Sequence, residues 1–386
     1  MRFTWNALYV FLYLYRCAFS VVAQLVVLRL TSIPDTTGYQ TTSMSMFFAA
    51  ARGHSSDISF GMQRDAGLLT KAIAASLNLA TGGSAILINV GFQTIAFIGI
   101  VAFLRAVDPS ARRVLAVLVM FPSFTMWTSI TSKEAIVVLL VGILAKHVVD
   151  IFYGRDRGPV YYVLVLLPLA GALFLFKPHF LAAILFAFGV AKVGGMTRRP
   201  ATFALLATAT SFGLLYLLRD PIGAYVFARY RGIQSEPGNS NRTEMFLSDK
   251  YDMFWRAPEG MFRSFFGPTA TEAASGVLHL VSFTESVVLL LVLTLVVAVR
   301  LPRAPVFMAI LGLFTVFWIV FATYPLGLAN PGTAVRYRAD YILLVYMGLV
   351  PLLSRNAYMT WRQKLHSQRP NRVPRGAADP PAFAPT

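Results

Sequence analysis

An all-α, polytopic integral membrane protein of about ten transmembrane helices with two long extracytoplasmic loops is the fold class this sequence predicts. Its 386 residues are 56% hydrophobic and only 13% charged, with mean hydropathy +0.63, far from the balance of a water-soluble domain. Apolar runs near bilayer length recur along the chain, and lipid offers no hydrogen bonds to an open backbone, so runs of that length form helices. Arginines follow every second run, as expected of cytoplasmic connections.

Length and flanking charge place the spans at about residues 7–30, 84–106, 113–130, 134–153, 159–176, 179–196, 201–218, 277–299, 304–324 and 339–354. The first run carries Arg16 and outlasts the short apolar core of a removable signal peptide, so this helix is expected to stay. Arg105, Arg112 and Arg113 follow the second span, Arg155 and Arg157 the fourth, Arg198 and Arg199 the sixth, and Arg300 and Arg303 the eighth. With Arg2 before the first span and Arg362, Lys364, Arg369, Arg372 and Arg375 after the last, both termini are expected in the cytoplasm. Residues 1–354 then form the membrane domain, and 355–386 a disordered basic tail beside an anionic leaflet, which accounts for part of the net charge of +17. Nucleic acid is not expected as a partner. The single cysteine, Cys17, lies in the first run and leaves no intrachain disulfide or cysteine-based metal site.

The opposite side receives loops 31–83 and 219–276, with short connections at 131–133, 177–178 and 325–338. The second loop, with Tyr225, Tyr230, Phe246, Trp255 and Phe265 among its aromatics, is too aromatic for a disordered linker. Long loops in compact proteins are commonly functional.

Several polar groups on that side can carry chemistry. Asp35, in Pro34-Asp35-Thr36-Thr37-Gly38-Tyr39, is placed to act as a general base or metal ligand, or simply to start a turn. Pro122 and Ser123 precede a hydroxyl-rich stretch ending in Lys133 and Glu134, which is either an anion site or a kinked hairpin anchored by Trp127 and capped by Ser132. Arg336, Tyr337 and Arg338 precede the last span on the side where positive charge is disfavoured, so the arginines answer to a phosphate, or Arg338 pairs with Asp340. Lys177 and His179 add a cation and an imidazole, with a snorkelling lysine as the plain alternative. Glu285 sits within the eighth span, where a carboxylate is costly and faces a partner or an aqueous cavity. Lys146 and His147 are expected to snorkel, and Arg16 to seek a carboxylate. In the second loop Arg242, Glu244, Asp249, Lys250, Asp252, Arg256, Glu259 and Arg263 alternate with aromatics, as in a carbohydrate site or an amphipathic helix on headgroups.

The opening Asp35 and Tyr39, the stretch from Pro122-Ser123 through Trp127 to Lys133-Glu134, and the late Arg336-Tyr337-Arg338 together resemble bacterial envelope-polysaccharide membrane proteins. These span the lipid-linked-sugar glycosyltransferases of the C-type fold and the O-antigen polymerases. The resemblance implies a multi-pass protein of the bacterial inner membrane that transfers sugar from a polyprenyl-phosphate or polyprenyl-pyrophosphate donor at the outer face. Asp35 would activate the acceptor, and Arg336 and Arg338 would engage the pyrophosphate. Membrane lipid, a polyprenyl-linked saccharide and other polysaccharide-assembly proteins are the implied partners, with a divalent metal ion as an optional cofactor. The sequence departs from the C-type pattern in having Thr36 after Asp35 in place of an adjacent acidic pair, and in carrying only a basic tail after the last span.

Applied to these residues, the expected chemistry has Arg336, Arg338 and Lys133 stabilising the departing phosphate while Asp35 or Glu285 takes the acceptor proton. Loss of either arginine is expected to depress turnover without unfolding the protein. A transporter or flippase of an anionic or lipid-linked substrate, with Glu285 as proton-coupling site, is the reading from another class. A non-catalytic assembly subunit is a third.

Overall fold

The computed structural model describes residues 7–30, 34–52, 61–155, 157–235, 242 and 246–354, and all regular structure among them is helical. The tail at 355–386, Arg2, Glu244 and the remaining parts of the two predicted loops lie outside the described residues.

In chain order, α1 (Ala7–Val27) widens to a π-helix over its last turn, Ala23–Val27. Helices α2 (Pro34–Gln40), α3 (Met44–Arg52) and α4 (Gly61–Ala80) occupy most of the first predicted loop. Next come α5 (Ala85–Ala106), capped by Ser84, the short α6 (Pro109–Leu118), capped by Asp108, and α7 (Pro122–Trp127). Then follow α8 (Lys133–Phe152), α9 (Pro159–Phe176), α10 (Pro178–Gly194) and α11 (Pro200–Leu217). The last three begin on proline, whose fixed φ and missing N–H suit the first helical position. The second predicted loop folds into α12 (Arg219–Ser235), α13 (Asp252–Trp255), α14 (Ala257–Phe266) and α15 (Ala270–Ala273). The chain continues through α16 (Val277–Arg300), α17 (Val306–Leu328) and α18 (Pro331–Leu353).

Among the described residues seven helices, α1, α5, α8, α9, α11, α16 and α17, are long and apolar enough to cross a membrane. Helix α10 is shorter, and α18 carries Arg336, Arg338 and Asp340 in its first half. Two predicted segments differ in the structure. Residues 113–130 form no continuous helix, because Pro122 cannot continue α6 and the chain restarts as α7. The last helix begins eight residues before the predicted 339, since Asn330 caps it by accepting hydrogen bonds from Gly332 N and Thr333 N at 2.8 and 3.2 Å. The predicted connection at 325–338 is therefore nearly all helix, with Pro325 inside α17 and Arg336 to Arg338 inside α18.

Helices α8 and α18 form the centre, packed on each other and on α5 and α17 respectively. The best apolar window of α8 is 83% buried, against 11% for α11 and 17% for α9 and α16. The outer helices therefore turn large side chains such as Val163, Leu217 and Leu291 outward, an apolar surface that suits lipid and would be a liability in water. The central contacts depend on small residues. A Cβ on Gly142 would overlap the Gly99 backbone across α5 and α8, and one on Gly312 would overlap the Gly348 carbonyl across α17 and α18. Gly142→Leu is thus expected to lower stability by at least about 1–3 kcal/mol, the usual cost of overpacking. Gly189→Ala, where a Cβ meets open space, should be neutral or stabilising in the same thermal unfolding series.

Helices α5, α8 and α18 point the same way. Their C-terminal ends are joined where Arg155 donates to the Ala106 carbonyl, Tyr153 Oη accepts from Asp108 N at 3.2 Å and Ser354 donates to Asp108. Their N-terminal ends meet through Asn89, Thr131, Glu134 and Arg336. Helices α6 and α7 carry the chain between these ends as a broken pair, with Ser123, Phe124 and Thr125 of α7 buried while α6 turns Val114 and Val117 outward.

Candidate functional site

The cap at Asn330 decides the geometry of the site. Once 331–353 is a helix, residues two apart leave it about 200° apart, so Arg336 and Arg338 face opposite ways. The expected pair of arginines on one pyrophosphate is replaced by two separate arrangements.

Arg336 Nε donates to Glu134 Oε1 at 2.6 Å and Nη2 to Asp35 Oδ2 at 3.2 Å, with its guanidinium 5.7 Å from the centre of the Trp127 ring. Asp340, one turn along the same face, is fully buried and lies 2.8 Å from Lys177 Nζ. Lys177 also sits 4.1 Å from the centre of the Tyr337 ring. Burial opposes the charge on Lys177, but Asp340, Tyr337 and Glu134 together hold its affinity for the proton above the ordinary lysine range. Lys133, next to Glu134, has no ion pair or hydrogen bond among the described residues, and its ammonium lies opposite Gly67 of α4. Tyr39 is buried on α2; burial, then Asp35 and Glu134, push its hydroxyl up, so it stays protonated. Asp35, Tyr39, Lys133, Glu134, Lys177, Arg336 and Tyr337 are thus brought to one end of the bundle.

Arg338 turns inward. It donates to the Phe265 carbonyl at 3.0 Å, Ser286 Oγ at 2.6 Å and Ser123 Oγ at 3.3 Å, with Glu285 Oε2 4.0 Å away. Glu285 Oε1 in turn accepts from Ser123 N at 2.8 Å, one of the open donors at the start of α7. A cavity of about 10 Å³, room for one water, lies beside Ser123 and Arg338 among Leu118, Phe121, Leu289 and Tyr346. The alternative partner for Arg338, Asp340, goes to Lys177 instead. Glu285 has the partner that its depth demanded.

His179, two residues after Lys177, is half-buried and edge-on to Phe180 at 4.7 Å between ring centres; its Nε2 is buried and has no hydrogen bond among the described residues. Arg242 stands apart. It grips Glu272 with two bonds of 2.6 and 3.1 Å and donates to the Leu328 carbonyl at 2.9 Å, holding the junction of α17 and α18. The other described charges of the second loop largely engage one another, as in Lys250 with Asp220 at 2.7 Å and Arg263 with Glu259 at 2.8 Å. Burial raises Glu272, but its bonds from Arg242 and Thr269 outweigh this and hold it below the usual carboxylate range. The stability this supplies is complete above that range and is lost as pH falls through the depressed value. Thermal unfolding should therefore show wild type losing its advantage over Glu272→Gln on acidification, and an unchanging gap would refute the assignment.

Three expectations for intramembrane charges are corrected. Arg16 finds the Thr128 carbonyl at 3.3 Å, at the C-terminal end of α7, rather than a carboxylate. His147 does not snorkel but is buried, with Nε2 2.9 Å from Tyr161 Oη. Lys146 pairs with Asp150. Ser132 precedes α8 but donates to the Trp127 carbonyl at 3.3 Å and does not cap it.

Sequence reasoning missed an amide cluster that positions Asp35 and Lys133. Asn89 Oδ1 accepts from Gln40 Nε2 and Thr131 N, both at 2.9 Å, and from Thr131 Oγ1 at 2.7 Å. Gln24, in the π-turn of α1, accepts from Gln40 at 2.9 Å and Asn89 at 3.0 Å. The available signal was the position of Gln24 and Asn89 inside apolar runs, where an amide needs an internal partner. Asp340 was missed as a site residue, although it lies four residues after Arg336.

Among the described residues no three His, Cys, Asp or Glu side chains gather in metal-ligand fashion. Asp35, Glu134 and Asp340 each face a cation already, so they do not form a ligand set. No known protein family matches the chain, nor does any curated protein or solved structure.

Proposed function

We propose that this protein is a multi-pass membrane glycosyltransferase or polysaccharide polymerase, using a polyprenyl-phosphate or polyprenyl-pyrophosphate sugar donor at the extracytoplasmic face of the bacterial inner membrane. The observation that carries the reading is the convergence of Asp35, Lys133, Glu134, Lys177 and Arg336, drawn from distant parts of the chain, at one end of the bundle. Arg105 and Arg155 lie at the opposite end, where the positive-inside bias would set the cytoplasm together with both termini. The broken α6–α7 pair, α10 and α18 complete ten crossings with the seven long helices in this topology.

In the proposed reaction the donor phosphate lies beside Lys133 and the outer edge of Arg336. An acceptor hydroxyl attacks the anomeric carbon, the bond from that carbon to the phosphate oxygen breaks, and the electron pair leaves with the phosphate. Asp35, exposed and beside Arg336, takes the hydroxyl proton; Glu285, buried against Ser123 and Arg338, supports the inner end of α7. Lys133 and Arg336 meet the charge that grows on the leaving phosphate.

The test is incubation of purified protein in detergent with radiolabelled polyprenyl-linked sugars, following lipid phosphate release and saccharide growth. Release is expected from wild type, reduced about 100-fold or more in Lys133→Ala. Binding of these lipids without release from any of them would overturn the transferase and favour a flippase.

A further inference from the structure

We infer that the end of the molecule opposite the candidate site binds an anionic glycerophospholipid, its phosphate met by Arg157 and Lys192 and its acyl chains laid along α9. This goes beyond the transferase reading and does not depend on it.

Two tyrosines at the start of α9 place the cations. Arg157, in the connection from α8, lies over the Tyr161 ring at 4.5 Å, and Lys192 of α10 lies over the Tyr162 ring at 5.2 Å. The rings are themselves held by neighbouring helices. Tyr161 Oη is 2.9 Å from His147 Nε2 of α8, and Tyr162 stands edge-on to Phe188 of α10 at 5.4 Å between ring centres. A ring face attracts a cation but does not cancel its charge.

The surrounding charge favours an anion. Segments 146–157 and 192–199 hold six cations, Lys146, Arg155, Arg157, Lys192, Arg198 and Arg199, against two carboxylates. Asp150 is shared by Lys146 and by Arg155, 3.4 Å away. Asp156 lies outside the described residues, and counting it as a full counter-charge still leaves cations in excess. Arg157, Arg198 and Arg199 are exposed. A zwitterionic headgroup would add its own ammonium to this excess, whereas phosphatidylglycerol brings negative charge alone.

The acyl chains have a place as well. Val160, Val163, Leu164 and Leu167 recur at helical spacing on α9, and all four are exposed. This stripe begins beside Tyr161 and runs away from the cations along a helix long enough to cross a membrane. A lipid whose phosphate sits at Arg157 would cover it; a soluble phosphate would leave it bare.

The experiment measures binding of dioleoyl phosphatidylglycerol and dioleoyl phosphatidylcholine to the delipidated, detergent-purified full-length protein by native mass spectrometry. Phosphatidylglycerol should bind about tenfold more tightly. Arg157→Gln with Lys192→Gln should remove most of that preference, while the charge-keeping pair Arg157→Lys with Lys192→Arg should retain it. Should the glutamine pair not stay monodisperse, Arg157→Gln alone decides, with a loss of about threefold expected and no loss overturning the assignment. Arg300→Gln with Arg303→Gln removes two exposed cations at the end of α16 and should leave the preference unchanged. Equal affinity of wild type for the two lipids, or an equal loss in the Arg300 and Arg303 variant, would overturn the inference. So would displacement of phosphatidylglycerol by an equal concentration of soluble glycerophosphoglycerol, since the stripe on α9 would then contribute nothing.

Discussion

Arg336→Ala should unfold the protein at markedly lower temperature as well as abolish its activity, and adding Glu134→Gln should restore most of the stability and none of the activity. The sequence alone suggested a loss of turnover with the fold intact. The structure changes that expectation because Glu134, 2% exposed, depends on Arg336 Nε at 2.6 Å. Removing one partner of such a pair leaves an uncompensated buried charge, at a cost of about 3–5 kcal/mol, to be discounted toward the low end here because Arg336 is 22% exposed. Neutralising both partners removes the stranded charge. Thermal unfolding of the two single variants and the double variant in one detergent measures the coupling. Additive losses would mean that the Arg336–Glu134 contact does not hold the fold, and recovery of activity in the double variant would remove Arg336 from the chemistry.

Asp35→Asn should do the reverse, reducing turnover by about 100- to 10,000-fold with little change in thermal stability. Asp35 has an exposed side chain, and its loss leaves Arg336 paired with Glu134. In the proposed reaction an amide would not take the acceptor proton, yet it would remove a negative charge beside the donor phosphate, so donor binding should tighten as turnover falls. That combination separates a base from a structural carboxylate, whose loss would weaken binding and stability together. Turnover within a few-fold of wild type in Asp35→Asn would end its role as base.

These opposite expectations for two carboxylates on one arginine were not legible in the chain. Both Asp35 and Glu134 read as polar residues flanking apolar runs; only the packing of α8 against α18 buries one and leaves the other at the edge. The late arginines show the same limit. As a loop before the last span they suggested a shared phosphate, whereas the Asn330 cap starts the helix early and helical geometry divides them.

The sequence by itself determined the helical character of the described residues and most of the long apolar helices. Hydrophobic length and composition are local properties, and a run of about 20 apolar residues announces a helix without reference to its neighbours. Tertiary structure alone decided that Gly99 meets Gly142, and that Lys177 belongs to Asp340 and Arg338 to Ser123 and Ser286. Partner choice among buried charges depends on which faces of distant helices come together, a relation that no single stretch of the chain contains.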